Sequence, residues 1–366
     1  MTPQPLSGAA APQVDAESAI ISWARAAVPA GAAVASLAVS AIVVLAAGAD
    51  PVAALGALAS GALGDRFALV DTLLKACPLV LTGLAVALAF RSGVWNIGAE
   101  GQLLVGALVA TAVGGASGEL PFPLPLFLAL AAGALAGALW AALPAALLVA
   151  RNVSEVIGTI MLNFVAARLV GWAVHGPLME SGARYPQSDP LPGAALLPLL
   201  AGRLHAGVAI VAALVLVVWV VVFRTAIGFR WRTLGQNPRA ARVAGFSPAR
   251  ALVSVMLASG GLAGLAGAIE VLGVTGRLFE QFSGGQGYTA IAVALLARLH
   301  PVGVAVTALF FGALAAGSGA MQRAAGVSAV LVAIVQAATI LALLALESPR
   351  LAPARRAAAS ADEEAK

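Results

Sequence analysis

Residues 125–150 contain no Asp, Glu, Lys or Arg, and neither do residues 28–48. A helix crossing the ~30 Å hydrocarbon core of a bilayer needs about 20 such residues. Comparable apolar segments lie at 76–90 (with a polar lead-in at 71–75), 103–116, 157–175, 206–223, 251–273, 288–299, 302–318 and 327–346. The sequence therefore predicts an all-α fold, a polytopic membrane helix bundle of about ten transmembrane helices, with 103–116 and 288–299 the shortest segments. Strands of a membrane β-barrel, about 10 residues each and alternating in polarity, do not produce such runs. The composition agrees, with 10% charged residues against about 25% in soluble domains. That excludes an ordinary cytosolic enzyme, a disordered chain and a nucleic-acid binder. Cys77 is the single cysteine and can form no internal disulfide.

Residues 1–25, rich in Ala, Pro and Ser, read as a disordered cytoplasmic tail, 26–346 as the transmembrane domain, and 347–366 as a second polar tail. Asp15 and Glu17 precede the first apolar run, which is too long for a secretory signal. The cations set the orientation. With ten spans and a cytoplasmic N-terminus, fourteen of the 21 Lys and Arg fall inside and six outside. The inverted arrangement would break the positive-inside rule, so both termini are expected in the cytoplasm.

Six of the inside cations stand in one loop, 224–250, which contains Arg224, Arg230, Arg232, Arg239, Arg242 and Arg250 and no acid. Asn237 suits an N-cap and Pro238 the first helical position, where no N–H is needed. Gly245 suits the left-handed residue that closes a helix. A two-turn helix over 238–244 is thus punctuated at both ends, and Ser247–Pro248 repeats the signal ahead of the next span. So short a helix is marginal alone in water and needs a docking surface. A cationic one suits an acidic groove on a soluble partner.

The segment GQNPRAARVAG (235–245) resembles the cytoplasmic coupling loop of ABC-importer permeases that handle branched-chain amino acids, simple sugars and nucleosides. SGVWNIGAEGQLLVGA (92–107), MLNFVAARLV (161–170) and GYTAIAVALLARLHPVGV (287–304) are similar to further blocks of the nucleoside and simple-sugar branch. Together they cover most of 75–345 in the family's order, with Ala297 departing where a Gly is expected before the basic position. The resemblance implies a permease subunit in the bacterial inner membrane. It also implies a partner ABC ATPase that binds the ATP, a second homologous permease in a heterodimer, and a substrate-binding lipoprotein. Coupling to the ATPase would fall to Arg230, Arg232, Asn237, Arg239, Arg242 and Gly245. No cofactor is expected on the chain itself.

Charged and amide groups at membrane depth cost about 2.5–3.5 kcal/mol on insertion scales and so face protein or water. Asn96, Glu100 and Gln102 lie among Gly93, Gly98 and Gly101 between two spans. They form either a cytoplasmic turn with a helix cap or a re-entrant element lining a path, and the resemblance favours the path. Asn163 and Arg168 share one span. Asn163 suits an interhelical hydrogen bond or a ligand contact, and Arg168 is expected to pair with Glu270, which lies near the outer end of its own span. Glu280, Gln281 and Gln286 occupy the Gly-rich stretch 276–287. GQLLVGALVA after Gly101 parallels GQGYTAIAVA after Gly285, a weak internal repeat of the kind transporters contain. The candidate translocation path is therefore Asn96, Glu100, Gln102, Asn163, Glu270 and Gln286.

The spacings Gly133–Gly137 and Gly260–Gly264 predict close helix crossings. No GxxxxGK[ST] phosphate loop occurs. His175, His205 and His300 lack metal-ligand spacing, and AGSG at 316–319 has no later histidine to serve as its base. The two alternatives are an ion-coupled secondary transporter, which would carry more mid-span acids, and an intramembrane enzyme. Neither needs a capped docking loop.

Overall fold

The computed structural model describes residues 50–182 and 184–326, plus isolated positions at 38–48 and 333–337. Residues 52–332 form one compact unit, and the second unit, 1–51 and 333–366, is described only at those isolated positions and at 50–51. Apart from them, the expected spans 28–48 and 327–346 and both tails lie outside the described residues.

Among the described residues the fold is helical, and seven helices are long and apolar enough to cross a membrane. They are α2 (Arg66–Arg91), α3 (Ala99–Ala116), α4 (Leu124–Arg151), α5 (Glu155–His175), α6 (Gly207–Arg224), α9 (Pro248–Glu270) and α11 (Pro301–Ala325). Four shorter helices complete the set: α1 (Pro51–Leu63), α7 (Ala226–Gln236), α8 (Pro238–Val243) and α10 (Gln286–Leu296). The polar lead-in 71–75 is helical because α2 starts earlier, at an N-cap where the Asp65 side chain accepts from Ala68 N at 2.8 Å. The 288–299 segment becomes α10, whose 11 residues span only ~16 Å at 1.5 Å per residue. Arg298 and Leu299 take φ of 50° and 58° and stop it. Neither α1 nor α7 was foreseen.

α2 is apolar around its whole circumference and buried without a break from Ala76 to Ala89, as a helix without a polar face must be. α9, α10 and α11 surround it. On the other side of α9, α3 and α4 close a three-helix crossing made of glycine. A Cβ on Gly137 would stand 2.6 Å from Gly264 Cα, and a Cβ on Gly106 would collide with the Gly264 backbone. Both predicted glycine pairs meet there, because only a missing side chain lets these backbones touch.

The connection between α5 and α6 is a strap ending in a hairpin of β1 (Leu199–Ala201) and β2 (Leu204–His205). α9 runs into one π-helical turn, Val271–Thr275. The strap is bound to this turn and to the chain beyond it by main-chain bonds: Leu197 N to Leu272 O (2.9 Å), Leu191 N to Gly276 O (2.9 Å) and Ser188 N to Leu278 O (2.7 Å).

Candidate functional site

The Gly-rich turn between α2 and α3 folds back into the bundle and buries its amides. Asn96 is inaccessible to solvent and Gln102 nearly so. Asn96 Nδ2 donates to Gln102 Oε1 (3.0 Å) and to Ser259 Oγ (2.8 Å), and Gln102 Nε2 donates to Asn96 Oδ1 (3.0 Å). Ser259 passes the chain on to Ala85 O at 2.7 Å, which ties α2, α3 and α9 together. Asn163 on α5 does the same from its side, accepting from Gly101 N (2.8 Å) and donating to Ile97 O (2.9 Å) and Tyr288 Oη (3.3 Å).

Glu100, in the first turn of α3, joins this turn to its sequence counterpart. Its carboxylate accepts from Ser283 Oγ and from Gly287 N, the latter at 2.7 Å. Gly287 lies in the first turn of α10, where the orphan N–H groups and the helix dipole favour an anion. The two helices approach so closely there that a Cβ on Gly287 would collide with the Glu100 backbone. The two GQ motifs therefore meet at the N-termini of their helices.

Outside this pinned carboxylate lies a cavity of about 440 Å³, lined by Glu100, Phe164, Arg168, Glu280, Gln281 and Tyr288 among others. Arg168 forms no ion pair with Glu270; it opens into this cavity, as do Glu280 and Gln281. Glu270 sits instead at the end of α9, close enough to feel the charge of Lys75. Gln286 heads α10 with its Oε1 buried and unpartnered. Neither Glu270 nor Gln286 lines the cavity. Phe164, Ser283 and Tyr288 are cavity residues absent from the sequence-derived set. Aromatic residues at helical spacing in a span look lipid-facing, and only the neighbouring Arg168 signals otherwise. Along α5, Ile157, Met161, Phe164, Arg168 and Trp172 form one exposed stripe at helical spacing.

The strap over this region carries acids held ionised. Gln187 donates to Glu180 at 2.7 Å, and this bond, helped by the Tyr185 and Arg184 N–H groups and by Arg277, holds the Glu180 carboxyl below its usual range. Ser181 does the same for Asp189, through its hydroxyl (2.7 Å) and its N–H (2.9 Å). His205 is fully buried in β2, its Nδ1 accepting from Gly207 N at 3.1 Å, and burial pushes its pKa down.

At the other end of the bundle, α8 is built much as its punctuation implies. Asn237 Oδ1 accepts from Arg239 N (2.9 Å) and Ala240 N (3.1 Å). Gly245, at φ +81°, sends its N–H to Arg242 O, and Phe246 N bonds Ala241 O at 2.9 Å. This paired closure leaves Ala244 as the cap rather than the last helical residue. Every residue of α8 except Ala241 is exposed, and Val243 is 91% exposed. Arg239 and Arg242 stand i, i+3 on one face. Arg230, on the neighbouring α7, lies over the Phe246 ring. Arg232 differs: half-buried, it shares the Phe223 ring with Arg91 rather than standing on the exposed face of α8.

Residues 68–344 match the family described as branched-chain amino acid transport system, permease component. The chain is 38% identical over 297 residues to the glucose ABC transporter permease protein TsgB13 of Haloferax volcanii, an alignment covering 78% of each. It is 36% identical to the guanosine ABC transporter permease protein NupP of Bacillus subtilis, over 78% of this chain and 83% of that one. The nucleoside ABC transporter permease protein NupB of Lactococcus lactis is 29% identical over 76% of this chain and 79% of its own length. No solved structure matches.

Proposed function

The chain belongs to the family of branched-chain amino acid transport system permease components, and on that premise we propose how it moves its solute. It is the membrane-spanning permease subunit of an ABC importer, and its solute is a nucleoside or simple sugar. It crosses the bacterial inner membrane ten times with both termini in the cytoplasm, the stretch 276–285 and the short α10 together making one crossing, and 224–250 is a cytoplasmic loop. ATP is held by a partner ATPase. A second, homologous permease faces the exposed stripe of α5, and a lipoprotein delivers the solute. The path runs along the cavity of Glu100, Arg168, Glu280 and Tyr288, since a stripe containing Arg168 and flanked by Glu280 would be costly against lipid tails. Asn96, Gln102 and Asn163 hold that wall in place from behind.

The observation that carries this reading is α8. A six-residue helix capped at both ends, presenting two arginines and a bare Val243 to solvent, is marginal by itself and suited to docking against another protein. An ion-coupled carrier has no use for it. Closure of the ATPase halves would displace α8 and rock the permeases between outward and inward openings. The test is Arg239→Glu with Arg242→Glu, alongside Gly245→Val, which forces a β-branched residue to positive φ. Both variants insert normally, retain less ATPase subunit on purification and lose stimulated ATP hydrolysis. Wild-type ATPase yield and normal uptake in the double reversal would reduce the loop to a topology signal.

A further inference from the structure

Beside α8, between α7 and the start of α9, lies a cavity of about 450 Å³ lined by Arg230, Trp231, Gly245, Phe246, Ser247 and Arg250, with Ile227 and Ser254 among the rest. Its floor is fixed. Trp231 is buried and its Nε1 donates to Ser254 Oγ at 2.9 Å. Ser247 caps α9 by accepting from Arg250 N (3.4 Å), and Phe246 meets Phe229 edge-on at 6.0 Å. Gly245 both closes α8 and forms part of the wall. The mouth carries two guanidiniums, and among the described residues neither Arg230 nor Arg250 is within ion-pair distance of a carboxylate. No acid lines the cavity.

We propose that this cavity is a socket for an acidic side chain of the ATPase subunit, so that docking uses a knob and a hole. The knob is α8, with Val243 outermost; the hole lies one turn away across Gly245, within reach of whatever covers α8. Two arginines around a preformed aromatic floor suit a carboxylate, which planar guanidiniums bind in bidentate fashion. Truncating one partner of an enclosed, hydrogen-bonded charge pair costs far more than truncating one of an exposed pair, because the other charge is left buried and unpaired. The socket also gives α7 and α9 a direct share in transmission, because Arg230 belongs to the first and Arg250 to the second. A pull on α8 alone would act only through its closing turn.

This rests on the ABC permease reading, so the test separates the two. In the assembled complex, p-benzoylphenylalanine is placed either at Val243 on the knob or at Ile227 on the cavity wall, which is half exposed. Ultraviolet crosslinking from both positions to the ATPase, with the Ile227 adduct mapping beside an Asp or Glu, is the expected result. Adding Arg230→Ala and Arg250→Ala should cut the Ile227 adduct at least tenfold while the Val243 adduct persists, and Arg250→Lys should restore part of it. A Val243 adduct without an Ile227 adduct, or an Ile227 adduct to lipid, overturns the socket and leaves the permease reading intact. Absence of both adducts overturns both.

Discussion

Glu100→Gln isolates what the pinned carboxylate does. The carboxylate accepts two hydrogen bonds from the segment that forms the cavity rim, one from a hydroxyl and one from a main-chain N–H. The amide keeps its oxygen for Gly287 N, which can only donate. Its NH₂ then faces Ser283, whose hydroxyl rotates to accept, so both bonds survive in neutral form. Bonds to charged groups contribute about 1.5–3 kcal/mol and neutral ones about 0.5–1.5, so the change costs at most roughly 2–3 kcal/mol over the pair, the neutral amide being cheaper to bury than the carboxylate. At 1.4 kcal/mol per factor of ten, local opening of 276–287 becomes more frequent by a factor of up to about 30–150. Glu100→Ala, which leaves two buried donors unsatisfied, should exceed this. Hydrogen exchange read by mass spectrometry on the chain in nanodiscs measures it directly, because opening free energies govern exchange segment by segment. Faster exchange confined to 276–287 is expected, with α4 unchanged as an internal reference. Exchange within twofold of wild type would refute the idea that this carboxylate holds the rim.

Alkaline phosphatase fused at Pro192 should be active and at Pro238 inactive, and activity at Pro238 would invert the proposed topology. Gly137→Leu drives a side chain into α9 at the glycine crossing, where overpacking costs about 1–3 kcal/mol; the purified chain should melt measurably lower, while Gly115→Leu, which meets open space, should not. His205 resists protonation when folded, so its stabilising effect is complete above the ordinary value near 6.5 and is lost as pH falls from there toward its depressed folded value. Glu180 and Asp189, held low, lose theirs only in a more acidic range. A pH series of exchange at 199–207 should therefore show loosening below about 6.5, flattened in His205→Asn, whose Oδ1 can still accept from Gly207.

The long spans were legible because their signal is simply length without charge, and α8 was read to within one residue because Asn237, Pro238 and Gly245 each have one strong preference. α7 was missed although Thr225 caps it, accepting from Gly228 N at 3.2 Å. Gly228, Gly235 and the arginines around them read as loop, yet Gly228 and Gly235 lie too near α6 and the end of α2 to carry side chains. α10 begins two residues before the expected segment and ends at Leu296 rather than Leu299, because the backbone turns left-handed at Arg298 and Leu299. The amides of the 93–102 turn stood out as expensive, but sequence gave no sign that Asn96 and Gln102 satisfy each other. Arg168 was paired on paper with Glu270 because those were the two charges left over inside spans. Its cavity depends on Glu280, which the fold brings back from a segment a hundred residues away.

The π-helical turn has a mechanical consequence. Widening the helix at 271–275 leaves the Leu272 carbonyl available to Leu197 N, so the strap is fastened to the end of α9 rather than resting on it. Counting from the strap, tension at 188–197 reaches 272–278 through main-chain bonds, then Ser283 and Gly287, and ends on the Glu100 carboxylate. A load applied to the strap from outside is thereby delivered to the wall of the cavity along a line that is mostly backbone. Its main-chain links at 188, 191 and 197 tolerate nearly any side chain; what they do not tolerate is a missing N–H, so proline at one of those positions is the substitution that would cut the line there.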